Sequence, residues 1–266
     1  MKLSIITITY NAEKVVNKTI ESVLRQTKTI YEYVFVDGGS TDSTNDVIKS
    51  YYSALDRQGI KVTHISEKDR GISDAFNKGI KLATGDLIGI INADDELLPS
   101  SNELLSEHYE KDPDCNIIYG NCLWVDEVNN LQIIKKPCHD LDRLYYDLVL
   151  IHPATFIKKS AYKKYGMYNI DYRYCMDKEL LCRMHVQGAK FSYIDNEIAL
   201  MRAGGISDRN AFKTIKEGVK LSNSYHCPKY ITYMKAVKKI CKHKASSIAK
   251  KTPIYVWIKK GSKKLG

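Results

Sequence analysis

Residues 72–95, ISDAFNKGIKLATGDLIGIINADD, decide the fold class of this chain. Apolar side chains recur at helical spacing from Ile72 to Ala83, and a Gly-Asp pair then ends the predicted helix. The apolar run Leu87–Ile91 follows at once and predicts a buried strand, which ends in Asn-Ala-Asp-Asp. A helix that leads directly into a buried strand is typical of a parallel sheet with helices on its faces.

The same alternation extends back to the start of the chain. Leu3–Thr9, Tyr33–Val36 and Lys61–Ile65 predict three more strands, and helical spacing of apolar residues lies between them, at 12–24 and 47–55. The predicted class is therefore α/β, a doubly wound and mainly parallel sheet flanked by helices.

The alternation stops after about residue 110. Residues 116–134 predict one or two strands around a polar turn, and 159–165 and 177–187 predict short helices. From about residue 210 the pattern is helical, at Ala211–Ser222 and Tyr230–Ile240, with no clear strand. We therefore expect a domain over residues 1–210, in two halves at 1–110 and 111–210, and a helical basic tail at 211–266.

Charge is distributed unevenly along the 266 residues, whose overall net charge is +10. Residues 211–266 hold fifteen lysines and a single acid, Glu217, which gives +14 there and leaves −4 for residues 1–210. A uniformly basic nucleic-acid-binding protein is excluded, and 44% hydrophobic residues exclude a mostly disordered chain. The seven cysteines form no C-x-x-C pair, so a reducing, cytoplasmic compartment is expected. The N-terminus reads as a strand rather than a signal peptide, and no apolar run is long enough to span a membrane.

Acidic residues follow three of the predicted strands. Asp37, Asp69 and the pair Asp94 and Asp95 come at strand ends or just beyond them, and in open α/β sheets ligands bind at that edge. Each could be a solvated turn. Two adjacent carboxylates at the end of a buried strand, however, favour a hard divalent cation, Mg²⁺ or Mn²⁺, bridging to a diphosphate.

Known phosphate-binding loops are absent from the sequence. Neither G-x-x-x-x-G-K-[ST] nor a G-x-G-x-x-G after the first strand occurs, and Thr9-Tyr10-Asn11 stands at the latter place. Tyr10 offers a ring on which a base can stack and Asn11 offers an amide. Asn11 is equally suited to be the N-cap of the first helix.

Four segments resemble the family 2 glycosyltransferases, whose fold is called GT-A. They occur in the family's order: TYN at 9–11, VDGGSTD at 36–42, DRGISDAFNKGIKLATGDLI at 69–88 and INADDELLP at 91–99. The resemblance covers residues 1–110 strongly and 111–210 more loosely. It implies that a nucleotide-sugar donor binds to Thr9, Tyr10, Asn11, Asp37, Asp69, Gly71, Asp74, Asn77, Asn92, Ala93 and Asp94.

The resemblance also implies roles within that set. Asp37 would accept the imide N–H of a uracil, with Asp69 and Gly71 framing the base and ribose. The helix carrying Asp74 and Asn77 would lead toward the diphosphate. Asp94 and Asp95 would hold the metal, but many family members have aspartate at position 92, where this chain has asparagine. Which aspartate contacts metal and which contacts ribose therefore stays open.

In the second half, the segment 151–156, IHPATF, resembles one that lines the sugar and acceptor site in one branch of the family. Its histidine, His152, precedes a predicted strand and is expected at an exposed rim, although a lone histidine is often structural. The segment 176–183, MDKELLCR, looks like the family's acidic motif at a helix start. Inverting transfer needs a carboxylate that deprotonates the acceptor hydroxyl, and we assign Asp177 to that role.

Five further residues are expected on the acceptor and diphosphate side. Glu179 is the reserve base, but two positions along a helix turn it about 200° from Asp177, so only one of them can face the donor. Asp177 could instead be an acid favoured by the helix dipole. Arg183 belongs to the same motif. Arg202 could neutralise the departing diphosphate or lie in a surface turn, and the segment after it supplies Gly205 and Ser207.

The predicted function is inverting, metal-dependent transfer of one sugar from a UDP-linked donor to a glycan or polyprenol-linked acceptor in surface polysaccharide synthesis. Lysines interleaved with the apolar patch Ile254–Ile258 suggest that residues 225–266 contact an anionic membrane at its cytoplasmic face, unless they form a solvated helical face. Two rivals remain. A sugar-nucleotide nucleotidyltransferase would need a G-x-G-T-R loop that is missing, and a non-catalytic binding module would not need Asp177.

Overall fold

The structure is a computed structural model that describes residues 1–204 and 210–249, with backbone only for 242–249. Nine strands are found in that part of the chain: β1 (Leu3–Thr9), β2 (Glu32–Asp37), β3 (Lys61–Ser66), β4 (Leu87–Ile90), β5 (Glu96–Leu97), β6 (Ile117–Asp126), β7 (Leu131–Lys135), β8 (Thr155–Lys158) and β9 (Phe191–Arg202). The α-helices described are α1 (Val16–Leu24), α2 (Thr44–Ser50), α3 (Tyr52–Arg57), α4 (Ile72–Leu82), α5 (Ser101–Lys111), α6 (Lys159–Tyr165), α7 (Met176–Val186), α8 (Ala211–Ser224) and α9 (Lys229–Ala249).

The strands form one sheet in the order β3-β2-β1-β4-β8-β6-β9-β5, with β7 paired to β6. The first four strands in this order are mutually parallel, as the alternation of strands and helices predicted. Strand β8 runs antiparallel to both β4 and β6, and β6 is parallel to β9. The carboxyl ends of β1, β2, β3 and β4 therefore meet at one edge of the sheet.

Apolar side chains cover both faces of the sheet, because neighbouring residues on a strand point to opposite sides. Ile6 faces a core that includes residues of α4 and α7, whereas Ile5 faces a core that includes residues of α1 and α5. Phe156 of β8 packs where a side chain on Gly89 of β4 would clash with it. These contacts join the two halves of the sheet at β4 and β8.

Three elements differ from the sequence prediction. The helical pattern at 47–55 is two short helices, α2 and α3, which meet at Tyr51. Helix α5 and strand β9 were not predicted, because the apolar spacing of each is irregular. The bulge in β9 opposite Gly120 and Asn121 interrupts the alternation expected of a strand.

The C-terminal segment begins with a helix packed on the domain. Leu221 of α8 is 1% exposed and belongs to the same core cluster as Leu180 and Leu181 of α7. Ser222 is also buried, and its hydroxyl donates to the carbonyl of Tyr145. Among the described residues, no helix has both the length and the apolar composition needed to cross a bilayer.

Candidate active site

The ends of β1, β2 and β3 form one side of the site. Thr9 Oγ1 donates to Asp37 Oδ1 over 3.0 Å, which joins the ends of β1 and β2. A Cβ on Gly38 would lie 2.5 Å from Asp69 Oδ2, so only glycine leaves room for that carboxylate. Asp69 in turn accepts the N–H of Gly71, whose φ is +119°. The structure thus brings the predicted base and ribose residues into one cluster.

Asp37 is fully buried and holds the loop that follows β2. Its carboxylate accepts hydrogen bonds from two backbone N–H groups and four side chains: Gly39, Ser40, Thr9, the Ser40 hydroxyl, Asn45 and Ser66. Burial acts to raise the pKa of Asp37, but these donors outweigh it and hold the pKa at about 2. Both oxygens are already engaged, so contact with a uracil would require the loop to release some of these bonds.

Tyr10 and Asn11 lie at the rim beside this loop. The Tyr10 side chain is 67% exposed, which leaves its ring free to stack on a base. Asn11 has φ +49°, a conformation that asparagine tolerates, and its Oδ1 accepts the N–H of Thr41 over 2.9 Å. The alternative assignment as N-cap is wrong, because α1 begins only at Val16.

The two expected metal ligands differ in environment. Asp95 is 3% exposed, whereas Asp94 is half-buried. Burial and then the charge of Asp94 raise the pKa of Asp95 to about 7, although His152 and a 3.1 Å hydrogen bond from Asn92 act in the opposite direction. A buried carboxylate that resists ionisation beside a second carboxylate is a place where a cation would be stabilising.

A divalent cation fits this pair if other oxygens complete its coordination. No group of three or more His, Cys, Asp or Glu side chains with metal-binding geometry occurs in the described part of the chain. The chain itself therefore offers two carboxylates, from Asp94 and Asp95, and donor phosphates and water would supply the rest. Mg²⁺ is commonly bound in this way, through one or two carboxylates and substrate phosphates.

Asp177 and His152 form the other side of the site. Asp177 lies in the first turn of α7, and its Oδ1 is 3.1 Å from Nδ1 of His152. The His152 ring stacks on Phe76 at 5.2 Å and its side chain is only 14% exposed, so the expected exposed rim position is wrong. Phe76 also packs against the ring of Tyr168. The Nε2 of His152 is buried and has no hydrogen-bond partner among the described residues.

His152 connects the two sides electrostatically. Burial acts to lower the pKa of His152, but the charges of Asp177 and Asp95 outweigh it and raise the pKa. The imidazole therefore interacts electrostatically with the carboxylate assigned as base and with one of the two assigned to the metal.

A small cleft, partly open to solvent, contains Asp177 and His152. Its other walls are aliphatic and aromatic, and include Leu148, Leu150, Tyr162 and Tyr168. The two tyrosines were missed from the sequence, since no motif contains them. Tyr168 hydrogen bonds to Asp177, and burial raises the pKa of its hydroxyl well above the usual value, so it stays a neutral donor. The cleft thus surrounds one carboxylate with hydroxyl groups and apolar surface.

Glu179 and Arg183 are not brought into the cleft. They form a partly buried ion pair at 2.8 Å, and Arg183 donates to the carbonyls of Tyr165 and Met167. The pair therefore fixes the segment between α6 and α7. This agrees with the geometric argument that Asp177 and Glu179 cannot face the same ligand.

The remaining predicted residues are engaged within the protein. Asn77 donates to the carbonyl of Tyr168 and accepts its N–H, so it positions that tyrosine. Asp74 pairs with Arg70. Arg202 pairs with Glu96 at 2.5 Å and Glu127 at 3.0 Å and donates to the carbonyl of Asp94, so its charge is already balanced. Gly205 and Ser207 lie outside the described residues.

Comparison with known proteins identifies a family model and several similar proteins. Residues 4–166 match the model of glycosyl transferase family 2. A PGL/p-HBAD biosynthesis glycosyltransferase of Mycobacterium bovis is 31% identical over 179 residues, which is 65% of this chain and 66% of that protein. Chondroitin synthase of Escherichia coli is 27% identical over 242 residues, 83% of this chain and 34% of that protein. The chain thus spans less than two thirds of the length of either relative.

Two solved structures share the fold. Staphylococcus aureus TarS 1–349 in complex with UDP-GlcNAc has a TM-score of 0.66 at 15% identity, with 91% of this chain and 72% of that one covered. A mannosyltransferase of Pyrobaculum calidifontis in complex with GDP-Man and Mn²⁺ has a TM-score of 0.61 at 15% identity, with 98% and 79% covered. These similarities confirm the GT-A-like α/β fold.

Proposed function

Because the chain belongs to glycosyl transferase family 2, we propose that it is a metal-dependent, inverting glycosyltransferase. It would move one sugar from a nucleotide-sugar donor to a hydroxyl of a lipid-linked or growing glycan. The observation that carries this proposal is the position of Asp177, a carboxylate in a cleft beside His152. The same histidine interacts electrostatically with Asp95, which together with Asp94 would hold the cation at the donor diphosphate.

In this mechanism the acceptor hydroxyl lies in the cleft and gives its proton to the Asp177 carboxylate. Its oxygen attacks the anomeric carbon while the bond from that carbon to the diphosphate oxygen breaks, so the configuration inverts. Tyr168 and His152 orient the carboxylate. Asp94 and Asp95 would hold the divalent cation, which would stabilise the negative charge on the departing diphosphate.

The donor and acceptor classes are inferred from similar proteins and from the Asp37 segment. TarS was solved with UDP-GlcNAc and the archaeal enzyme with GDP-Man, and the resemblance of the Asp37 segment favours UDP. The two relatives are named for PGL/p-HBAD biosynthesis and for chondroitin synthesis, and the second name supports a growing glycan as acceptor.

A thermal-shift panel followed by a hydrolysis assay tests the proposal. We expect UDP-sugars to raise the melting temperature in Mn²⁺ more than GDP-sugars do, because a ligand that binds only the folded state stabilises it. We also expect slow release of UDP without an acceptor. Stabilisation without any turnover would instead identify a nucleotide-sugar binding module, and no stabilisation by any sugar nucleotide would refute the proposal.

We further propose that residues 225–266 bind the cytoplasmic face of an anionic membrane. Support comes from α9, where the side chains of Tyr230, Tyr233, Met234 and Val237 are 54–69% exposed. Their spacing places them along one side of the helix, opposite the buried Thr232. This apolar stripe is flanked by lysines, as in helices that lie in a membrane interface. The apolar patch at Ile254–Ile258 lies outside the described residues.

Liposome sedimentation measures this interaction. The full chain is expected to pellet with vesicles containing anionic lipid and to be released as salt rises, because lysine attraction is screened over about 8 Å at physiological ionic strength. A chain ending at Ser224 keeps the packed helix α8 and should stay in the supernatant. Tyr233→Ser with Met234→Ser should weaken binding, whereas Ile170→Ser, at an apolar residue 47% exposed on the domain, should not. Equal binding to neutral vesicles would contradict the proposal.

A further inference from the structure

Glu217 is the single acid among the fifteen lysines of residues 211–266. Its carboxylate accepts hydrogen bonds from backbone N–H groups of a loop that is far away in the sequence. Oε1 accepts the N–H of Arg173 over 3.1 Å, and Oε2 accepts the N–H groups of Tyr174 and Cys175 over 2.7 and 3.0 Å. Hydrogen bonds to an ionised acceptor are among the stronger ones in proteins. Three of them on one side chain form a clamp, which we call the Glu217 clamp.

The clamped residues immediately precede the residue assigned as base. Cys175 is the last residue before α7, which begins at Met176 and carries Asp177 in its first turn. The loop from Tyr168 to Cys175 contains no regular secondary structure, so its course depends on contacts with other elements. Ser73 of α4 holds it from one side by donating to the carbonyl of Tyr172 over 2.9 Å.

Helix α8 supports the start of α7 at two further points. Cys175 Sγ donates to the carbonyl of Thr214 over 3.2 Å. Lys178, which is 4% exposed, lies 3.5 Å from the carbonyl of Gly218 and 3.4 Å from the Ser222 hydroxyl. Contacts with α8 therefore involve residues on both sides of Asp177 in the sequence. The first helix of the lysine-rich segment thus packs directly against the start of α7, the helix that carries Asp177.

We propose that Glu217 is a positioning residue for Asp177, acting through the Glu217 clamp. This inference rests on the proposed role of Asp177 as base. The clamp fixes where α7 begins, and a carboxylate in the first turn of a helix moves with that start. Proton transfer depends on placement to within a fraction of an ångström, and a misplacement of 1 Å can cost about 10²-fold in rate.

Glu217→Gln in the full chain tests the clamp, because glutamine has the same shape but replaces one acceptor oxygen by an NH₂ group that faces N–H donors. Hydrogen exchange is expected to become at least about tenfold faster at the amides of residues 173–175 and to stay unchanged in β1 and β4. In the transfer assay kcat should fall about 10- to 100-fold, with KM for the donor within about twofold. Lys216→Gln, at an exposed neighbour on α8, should change neither quantity.

Each alternative outcome is decisive. Unchanged exchange at residues 173–175, or unchanged kcat despite faster exchange, would overturn the proposal. Faster exchange throughout the sheet would make Glu217 a residue of general stability, and a rise in donor KM that matches the loss in kcat would make it a residue of the donor site. Either result would overturn the proposal. If the unaltered protein transfers no sugar, the proposed function fails. In that case the exchange data still decide whether the clamp exists.

Discussion

Asparagine in place of Asp177 is expected to lower the rate of sugar transfer by about 10²–10⁴-fold, the usual contribution of a general base. Asparagine has nearly the same shape but cannot accept the hydroxyl proton. Donor affinity should change little, because Asp177 pairs with His152 and is not one of the aspartates assigned to the metal. Single-turnover transfer rates and nucleotide binding, measured on the same preparation, separate the two effects.

Glu179→Gln is the matched control for Asp177→Asn. It removes the charge of a carboxylate on the same helix, but one that pairs with Arg183 away from the cleft. We expect it to lower stability, because it leaves a half-buried guanidinium without its charged partner, and to leave the rate per folded molecule near that of the unaltered protein. An inactive Glu179→Gln beside an active Asp177→Asn would reverse the assignment of the base.

Asp95→Asn should have opposite effects on activity and on stability. Turnover is expected to fall by about 10³-fold or more, because Lewis-acid stabilisation of a leaving group is worth several kcal/mol. In EDTA the same variant should melt at a higher temperature than the unaltered protein. Burial and the neighbouring Asp94 raise the pKa of Asp95 to about 7, so its ionised form destabilises the metal-free fold near and above that pH.

The metal dependence can be checked on the unaltered protein as well. Excess EDTA should abolish transfer, and added Mn²⁺ or Mg²⁺ should restore it. Asp74→Asn is a suitable control, because Asp74 is a carboxylate that pairs with Arg70 rather than with a second acid. Undiminished transfer in EDTA, or an Asp95→Asn variant that keeps full activity, would remove the metal from the mechanism.

The sequence was most informative where side-chain pattern and strand position coincide. The carboxyl ends of buried parallel strands lie at the ligand-binding edge of a sheet, and this principle alone predicted that Asp37, Asp69, Asp94 and Asp95 lie there. Helical geometry likewise separated Asp177 from Glu179, as the structure bears out. These inferences needed only the periods of helix and strand.

The sequence was less informative about which group each polar side chain binds. Asn77 and Arg202 have side chains suited to a diphosphate, but the structure commits them to the backbone of Tyr168 and to two glutamates. Asparagine and arginine can bind a ligand or hold other parts of the protein in place, and the residue type alone does not distinguish the two. Tyr168 illustrates the reverse case, since nothing around it in the sequence marks a contact with Asp177, and only packing brings them together.

The order of strands in the sheet has a consequence for biosynthesis on the ribosome. Strand β4 is made early, but its second neighbour is β8, which is about 65 residues later in the chain, and β5 pairs only with the still later β9. A nascent chain that has just emerged to β4 therefore presents an unpaired apolar strand edge, which is prone to association with other chains. Production of this protein should consequently depend on how quickly translation reaches residue 202, and on chaperones that cover that edge in the interval.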